Sequence, residues 1–266
     1  MNEQKITIHT LRAMKQRGEK IASLTAYDFF TAKIMDEVGL EMILVGDSLG
    51  MAVLGYENTL PVTMEEMIHH TKAVARAKPK ALVVADMPFM SYSNVRQAQQ
   101  NAGRFIQAGA EAVKLEGGEP VIEQVRALVA AGIPVLGHIG LLPQSILETG
   151  GYKIQGRKPE TAERLLHDAK LLEQAGVFAI IIECTVAEVA RKITGAVAVP
   201  TIGIGAGAGC DGQVLVSNDM LGQFTWFTPK HVKRYANLSE EMRKAFAAYK
   251  REVETGEFPG KEQSFS

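Results

Sequence analysis

The chain has 266 residues, 46% of them apolar and 22% charged, with a formal net charge of −1 and two cysteines. That is enough for one large soluble domain with a sizeable core. The balance of charge leaves no broad basic field for nucleic acid. Cys184 and Cys210 lack the spacing of a zinc site or a disulfide framework.

The opening segment, MNEQKITIHTLRAMKQRGEK, has no signal-peptide core. No apolar run approaches the roughly 20 residues needed to cross a bilayer. A cytoplasmic protein with neither membrane nor nucleic-acid partners is expected. An N-terminal helix is predicted around Ile8 to Lys15, followed by a strand in IASLTAYD that ends at Asp28. Asp28 itself is expected to cap the next helix.

A unit then recurs: helical pattern, glycine, short apolar run, polar tip. MDEVGLEMILVGDS passes Gly39 and stops at Asp47. FIQAGAEAVKLEGG passes Gly109 and stops at Glu116, LVAAGIPVLGHIG passes Gly132 and stops at His138, and LLEQAGVFAIIIECT passes Gly176 and stops at Glu183. A glycine after the last helical turn suits the left-handed C′ position. The apolar runs suit parallel strands covered on both faces. KALVVADMPF, VPTIGIGAG and GQVLVSNDM add further strands, and helices are predicted over Met64 to Ala77, Val95 to Gln107, Pro120 to Ala130 and Thr161 to Glu173. Pro229 to Glu254 is predicted helical, before a loose tail.

Strand and helix in alternation mean a parallel sheet with right-handed crossovers. Eight such units fit an α/β fold, a closed (β/α)8 TIM barrel with an extra N-terminal helix, occupying the whole chain, 1–266, as a single domain. Strands seven and eight lie too close in sequence for a full helix between them, so an open doubly wound sheet is the alternative.

In a barrel, all strand C-termini meet at one face, which carries the active site. Asp47, Asp86, Glu116, His138 and Glu183 then converge. Crowded carboxylates repel one another, and a divalent cation relieves this. Oxygen ligands without thiolates favour a hard ion, and Mg²⁺ suits one or two carboxylates plus substrate oxygens. Asp47 and Asp86 are the candidate direct ligands, with Glu116 a further or water-bridged one. Lys114, two residues before Glu116, points to the same side of its strand and can neutralise a substrate carboxylate or a developing oxyanion. His138 can do similar work by hydrogen bonding. Glu183, after an apolar run, is the candidate proton acceptor, and alternation turns Cys184 away into packing. The glycines of GIGAGAGCDG do not follow a dinucleotide fingerprint; they can hug a carboxylate or a pterin, or permit tight packing.

Many motifs, in order, resemble the 3-methyl-2-oxobutanoate (ketopantoate) hydroxymethyltransferase family: LTAYD, VGDSLGM, TLPVT, ADMPF, VKLEGG, GHIGLLPQS, GGYKIQGR, IIIEC, IGIGAG and DGQVLV. The resemblance runs from about Ile21 to the C-terminus. It implies a (β/α)8 barrel, Mg²⁺, and transfer of a hydroxymethyl group from 5,10-methylenetetrahydrofolate to 3-methyl-2-oxobutanoate, giving 2-dehydropantoate in pantothenate biosynthesis. It implies Asp47 and Asp86 as metal ligands that also contact substrate, Glu116 as a third metal-site acid, Ser48 and Lys114 as substrate contacts, and Glu183 as proton acceptor. It also implies a homo-oligomer, often a decamer of pentamer rings. The chain departs from the family pattern at Thr185-Val186, around Gly209-Cys210 and at the C-terminal Gln263-Ser264, none of them at the proposed metal acids. Two other readings use the same acids: a Mg²⁺-dependent barrel enzyme cleaving a carbon–carbon bond of a 2-oxo acid, and a non-catalytic ligand-binding barrel.

Overall fold

A computed structural model describes residues 4–224 and 228–265. Its contacts group into two compact units, the first ending at Val216 and the second beginning at Ser217. The first unit is a closed barrel of parallel strands in chain order: β1 (Ile21–Thr25), β2 (Met42–Val45), β3 (Leu82–Asp86), β4 (Ala112–Glu116), β5 (Val135–Gly140), β6 (Ala179–Glu183), β7 (Thr201–Ile204) and β8 (Gly212–Leu215). Closure is made by β8 on β1, with Ile21 beside Gly212 and Leu24 beside Leu215. The expected (β/α)8 class holds, and the open-sheet alternative does not.

Helices Phe29–Val38, Met64–Ala75, Val95–Gln107, Ile122–Ala130, Pro159–Ala175 and Ala187–Ala196 alternate with the strands. Their ends follow local chemistry. Asp28 Oδ1 accepts from Thr31 N at 2.8 Å, so this acid is a helix cap as read. Gly39 and Gly176 terminate their helices in the left-handed region, at φ 80° and 98°. Thr63 and Glu66 form a reciprocal capping box at the start of Met64–Ala75.

The barrel holds two apolar layers. Even-numbered β2 and β3 side chains (Met42, Leu44, Leu82, Val84) pack with Leu136, Ile181, Ile202 and Val214 into one interior cluster. Odd-numbered neighbours such as Ile43, Val83, Val113 and Val135 face the helices. This is the period-2 alternation of a strand covered on both sides. The expected N-terminal helix is present as Ile8–Arg17, and its Leu11 and Met14 belong to the interior cluster, so this helix caps it. Lys15 anchors the helix, its Nζ 2.9 Å from Asp211 Oδ2 and 3.0 Å from the Thr194 and Val199 carbonyl oxygens.

No helix separates β7 from β8. The glycine-rich connection works by close approach: a Cβ at Gly212 would lie 2.4 Å from the Ile21 carbonyl oxygen, one at Gly207 2.6 Å from Ala187 Cβ, and one at Gly209 2.9 Å from Arg191 Cβ. Of the roles open for GIGAGAGCDG, tight packing is the one these contacts show.

The second unit contains the helix Leu238–Thr255. Helix was expected from Pro229, but 229–237 is turn and irregular chain. Among the described residues, no helix is long and apolar enough to cross a membrane.

Candidate active site

The barrel's register builds the site as a staircase. Asp86 on β3 pairs with Lys114 on β4, Glu116 two residues further pairs with His138 on β5, and Ile181, paired with His138, lies two residues before Glu183. Each step keeps the same parity, so these polar side chains all turn to the interior at the strand C-termini. Asp86, Lys114, Glu116 and His138 are each at most 5% exposed.

Lys114 Nζ contacts both oxygens of Asp86, at 2.6 and 2.7 Å, and Glu116 Oε1 at 3.4 Å. Burial alone would depress the lysine, but Asp86, Glu116 and Asp47 outweigh it and raise its pKa. Burial also pushes the Asp86 carboxyl up, against the pull of Lys114; the two short contacts identify Asp86 as the ionised partner.

Glu116 is held differently. It is as deeply buried, but Lys114, His138 and the Gln144 backbone N–H, which donates to Oε2 at 3.0 Å, overcome the burial and lower it to about 2. His138 lies between two acids, Nδ1 3.5 Å from Glu116 Oε1 and Nε2 3.3 Å from Glu183 Oε2. Burial and Lys114 push the imidazole down, and contacts with Glu116 and Glu183 raise it to about 9. The contacts are long and neither ring nitrogen is well aligned with its acid, and it is still the two flanking carboxylates that favour the imidazolium.

Asp47 follows β2. Its backbone N–H donates to Asp86 Oδ2 at 3.3 Å, and its Oδ2 accepts from Gln144 Nε2 at 2.9 Å. Burial and the adjacent Asp86 hold its carboxyl well above the usual range. Ser48 lies beside it, hydrogen-bonded to Tyr27 Oη at 2.9 Å.

The structure thus brings together Asp47, Ser48, Asp86, Lys114, Glu116, His138 and Glu183. It also adds residues that sequence reasoning missed. Gln144 contacts Asp47, Glu116 and the Met87 carbonyl oxygen, and Tyr92 Oη donates to Gln144 Oε1 at 2.6 Å. Tyr152, whose Oη lies 3.8 Å from Met51 Sδ, is raised by burial and by the negative charge of Glu183, Asp47 and Glu116. Gln144 lay within the quoted GHIGLLPQS; its only local signal is the preceding Pro143, which starts a turn. Cys184, half-buried, is pushed up to about 12 by burial and by Glu183, so it stays a thiol.

Among the described residues, no three Asp, Glu, His or Cys side chains form a ready-made metal cage. The donors instead fit a cation that takes few protein ligands. Asp47 and Asp86 are adjacent buried acids, both raised, and Asp47 Oδ1 has no hydrogen-bond donor among the described residues. That deficit of positive charge suits Mg²⁺ held by one or two carboxylates. Glu116 has a donor on each oxygen, Lys114 Nζ on Oε1 and the Gln144 backbone N–H on Oε2.

A family model described as ketopantoate hydroxymethyltransferase matches residues 5–261. The chain belongs to this family. The 3-methyl-2-oxobutanoate hydroxymethyltransferase of Syntrophus aciditrophicus is 58% identical over 263 residues, covering 98% of this chain and 97% of the relative. The enzyme of the same name from Clostridium novyi is 59% identical, covering 98% and 96%. Among solved structures, a phosphonopyruvate hydrolase in complex with oxalate and Mg²⁺ superposes with a TM-score of 0.63 at 15% identity, covering 96% of this chain and 92% of that one. A 2,3-dimethylmalate lyase gives 0.62 at 16%, covering 97% and 91%. At such identity the likeness is one of fold. Membership in the ketopantoate hydroxymethyltransferase family makes this chain a transferase, and the resemblance read from the motifs holds over nearly its full length.

Proposed function

We propose that this protein transfers a hydroxymethyl group from 5,10-methylenetetrahydrofolate to 3-methyl-2-oxobutanoate, giving 2-dehydropantoate for pantothenate synthesis, with Mg²⁺ held by Asp47 and Asp86 and by Glu116 through water. The observation that carries the reading is the buried Asp47–Asp86–Lys114–Glu116–His138 set at the strand C-termini of a chain in this family.

When bound, Mg²⁺ supplies Lewis-acid polarisation of the keto acid and acidifies its C3–H bond. Lys114 and Ser48 orient the substrate carboxylate and ketone. Glu183, 16% exposed on its side chain, takes the C3 proton. His138, beside Glu183, and Lys114 stabilise negative charge that develops on the ketone oxygen. The C3 carbon then attacks the donor's methylene: a carbon–carbon bond replaces one of its two bonds to folate nitrogen, the hydroxyl of water replaces the other, and the two nitrogens take up the C3 proton and the remaining water proton as tetrahydrofolate leaves.

The test is exchange of the C3 proton with solvent deuterium, without folate. Exchange should occur with Mg²⁺, stop on chelation and fall at least a hundredfold in Glu183→Gln. Undiminished exchange in that variant would remove Glu183 from the base role. Product formation without folate would favour the lyase reading.

We also read the protein as a cytoplasmic homo-oligomer, a decamer. Support comes from an exposed apolar stripe on helix Phe29–Val38, where Phe30, Ile34 and Val38 are 76%, 58% and 71% exposed at successive four-residue spacing. Sedimentation as a monomer at micromolar concentration would reject it.

A further inference from the structure

Two clefts on the barrel unit meet at Gln155. The first, ≈ 680 Å³, opens from Glu116 and Gln144 past Phe89, Met90 and Tyr92. The second, ≈ 520 Å³, is formed by residues 152–158 and Thr161. Gln155 lines both. Its backbone N–H donates to the Cys184 carbonyl oxygen at 2.8 Å, and its carbonyl oxygen accepts from Val186 N at 3.0 Å. The loop of the second cleft is therefore fastened to the chain just beyond Glu183.

The two clefts differ in charge. Glu116, Glu119, Glu148 and Asp168 line the first, with Arg164 its only cation. The second has no acid in its lining and three cations, Lys153, Arg157 and Lys158. All three are exposed, and none is in an ion pair among the described residues. Other exposed cations of this unit, such as Arg12, Lys33 and Arg96, are also outside any ion pair among the described residues; what sets this cleft apart is three cations around one concavity with no acid in its lining. Three unpaired cations around one concavity, a few residues from the proposed base, make a receptor for carboxylates.

We propose that the cleft of Lys153, Arg157 and Lys158 binds the glutamate tail of the folate co-substrate, and that it favours donors with several glutamates. This rests on the folate reading above. The reactive methylene bridges nitrogens at the pterin end, so that end must lie toward Glu183. The aromatic and thioether wall of Phe89, Met90 and Tyr92 offers the pterin a stacking surface. The tail carries only carboxylates, and each added glutamate adds one negative charge. The acids of the first cleft repel it, and the cations of the second attract it. Arg157 can take a carboxylate bidentately.

The test is steady-state kinetics with 5,10-methylenetetrahydrofolate carrying one or five glutamates. In the wild type, the KM should be about tenfold lower for the pentaglutamate, which corresponds to about 1.4 kcal/mol. In the Lys153→Gln, Arg157→Gln, Lys158→Gln triple variant that ratio should collapse to about one. The kcat, the KM for 3-methyl-2-oxobutanoate and folate-free C3 proton exchange should be unchanged. A wild-type ratio near one, a ratio preserved in the variant, or an equal rise in the keto-acid KM would overturn the proposal; the last would mean general steering of anions. A second measurement needs no variant: raising ionic strength should shrink the wild-type ratio, and a salt-insensitive ratio would overturn it. Proton exchange without product from either folate would instead reject the folate reading itself.

Discussion

Lys114 Nζ bridges both carboxylate oxygens of Asp86, at 2.6 and 2.7 Å, with both side chains essentially buried. Removing one partner of such a pair strands a charge in a low-dielectric interior, at a cost of about 3–5 kcal/mol. Lys114→Met should therefore destabilise the metal-free protein by about that amount in urea unfolding. Adding Asp86→Leu should recover part of the loss, because the stranded acid is gone. A Lys114→Met loss below about 1 kcal/mol would mean that water or a neighbour compensates the acid.

Stability should depend on pH through His138. Its folded value is raised to about 9 from 6.5. The folded protein therefore keeps a proton that the unfolded chain releases. The contribution, on the order of 3 kcal/mol, is fully present below about pH 6.5 and is lost as pH rises through about 9. Urea midpoints of the metal-free protein should fall across that window, and His138→Asn should flatten the fall. A wild-type midpoint that is level from pH 6.5 to 9 would contradict the flanking-acid account.

Mg²⁺ binding should appear as stability before any substrate is present. A ligand at a hundred times its Kd adds about 2.7 kcal/mol to the folded state. The unfolding temperature should rise with Mg²⁺ and return on chelation. Asp47→Asn should abolish the rise. Asp47 gains most from a cation, since its carboxyl is held high by burial and Asp86. A full Mg²⁺ shift in Asp47→Asn would move the metal away from that residue.

What was legible in the sequence followed from periodicity. Parity alone put Lys114 and Glu116 on one side of β4, and the apolar runs ended where the strands end, so the acids could be placed at one rim. Asp28 could be read as a cap because the residue type and position both suit one. Gln144, Tyr92 and Tyr152 were not legible, because they enter from loops whose path has no period. The closing step between β7 and β8 was unreadable for a related reason. It depends on the Gly212 backbone approaching Ile21, and a sequence shows the glycine but not its neighbour. At the C-terminus the acidic pair Glu240 and Glu241 marks the first turn of the helix from Leu238, and the continuous helix expected from Pro229 ignored that signal.

Gly140 joins the fold to the chemistry. It has φ 100°, and a Cβ there would lie 2.1 Å from the Glu183 carbonyl oxygen and 2.9 Å from the Glu183 backbone nitrogen. Both obstacles are backbone, so neither can rotate aside. Gly140→Ala must push β5 and β6 apart at the level of the proposed base, and the left-handed conformation adds strain. Folate-free C3 proton exchange should fall by about a hundredfold or more, as expected when a base is displaced by about 1 Å. Gly103→Ala is the matched control: it lies inside helix Val95–Gln107, and a Cβ there meets nothing within 4 Å. That change should leave exchange intact and raise stability by up to about 1 kcal/mol. If Gly140→Ala exchanges protons as fast as Gly103→Ala, Glu183 does not need the position that this glycine gives it.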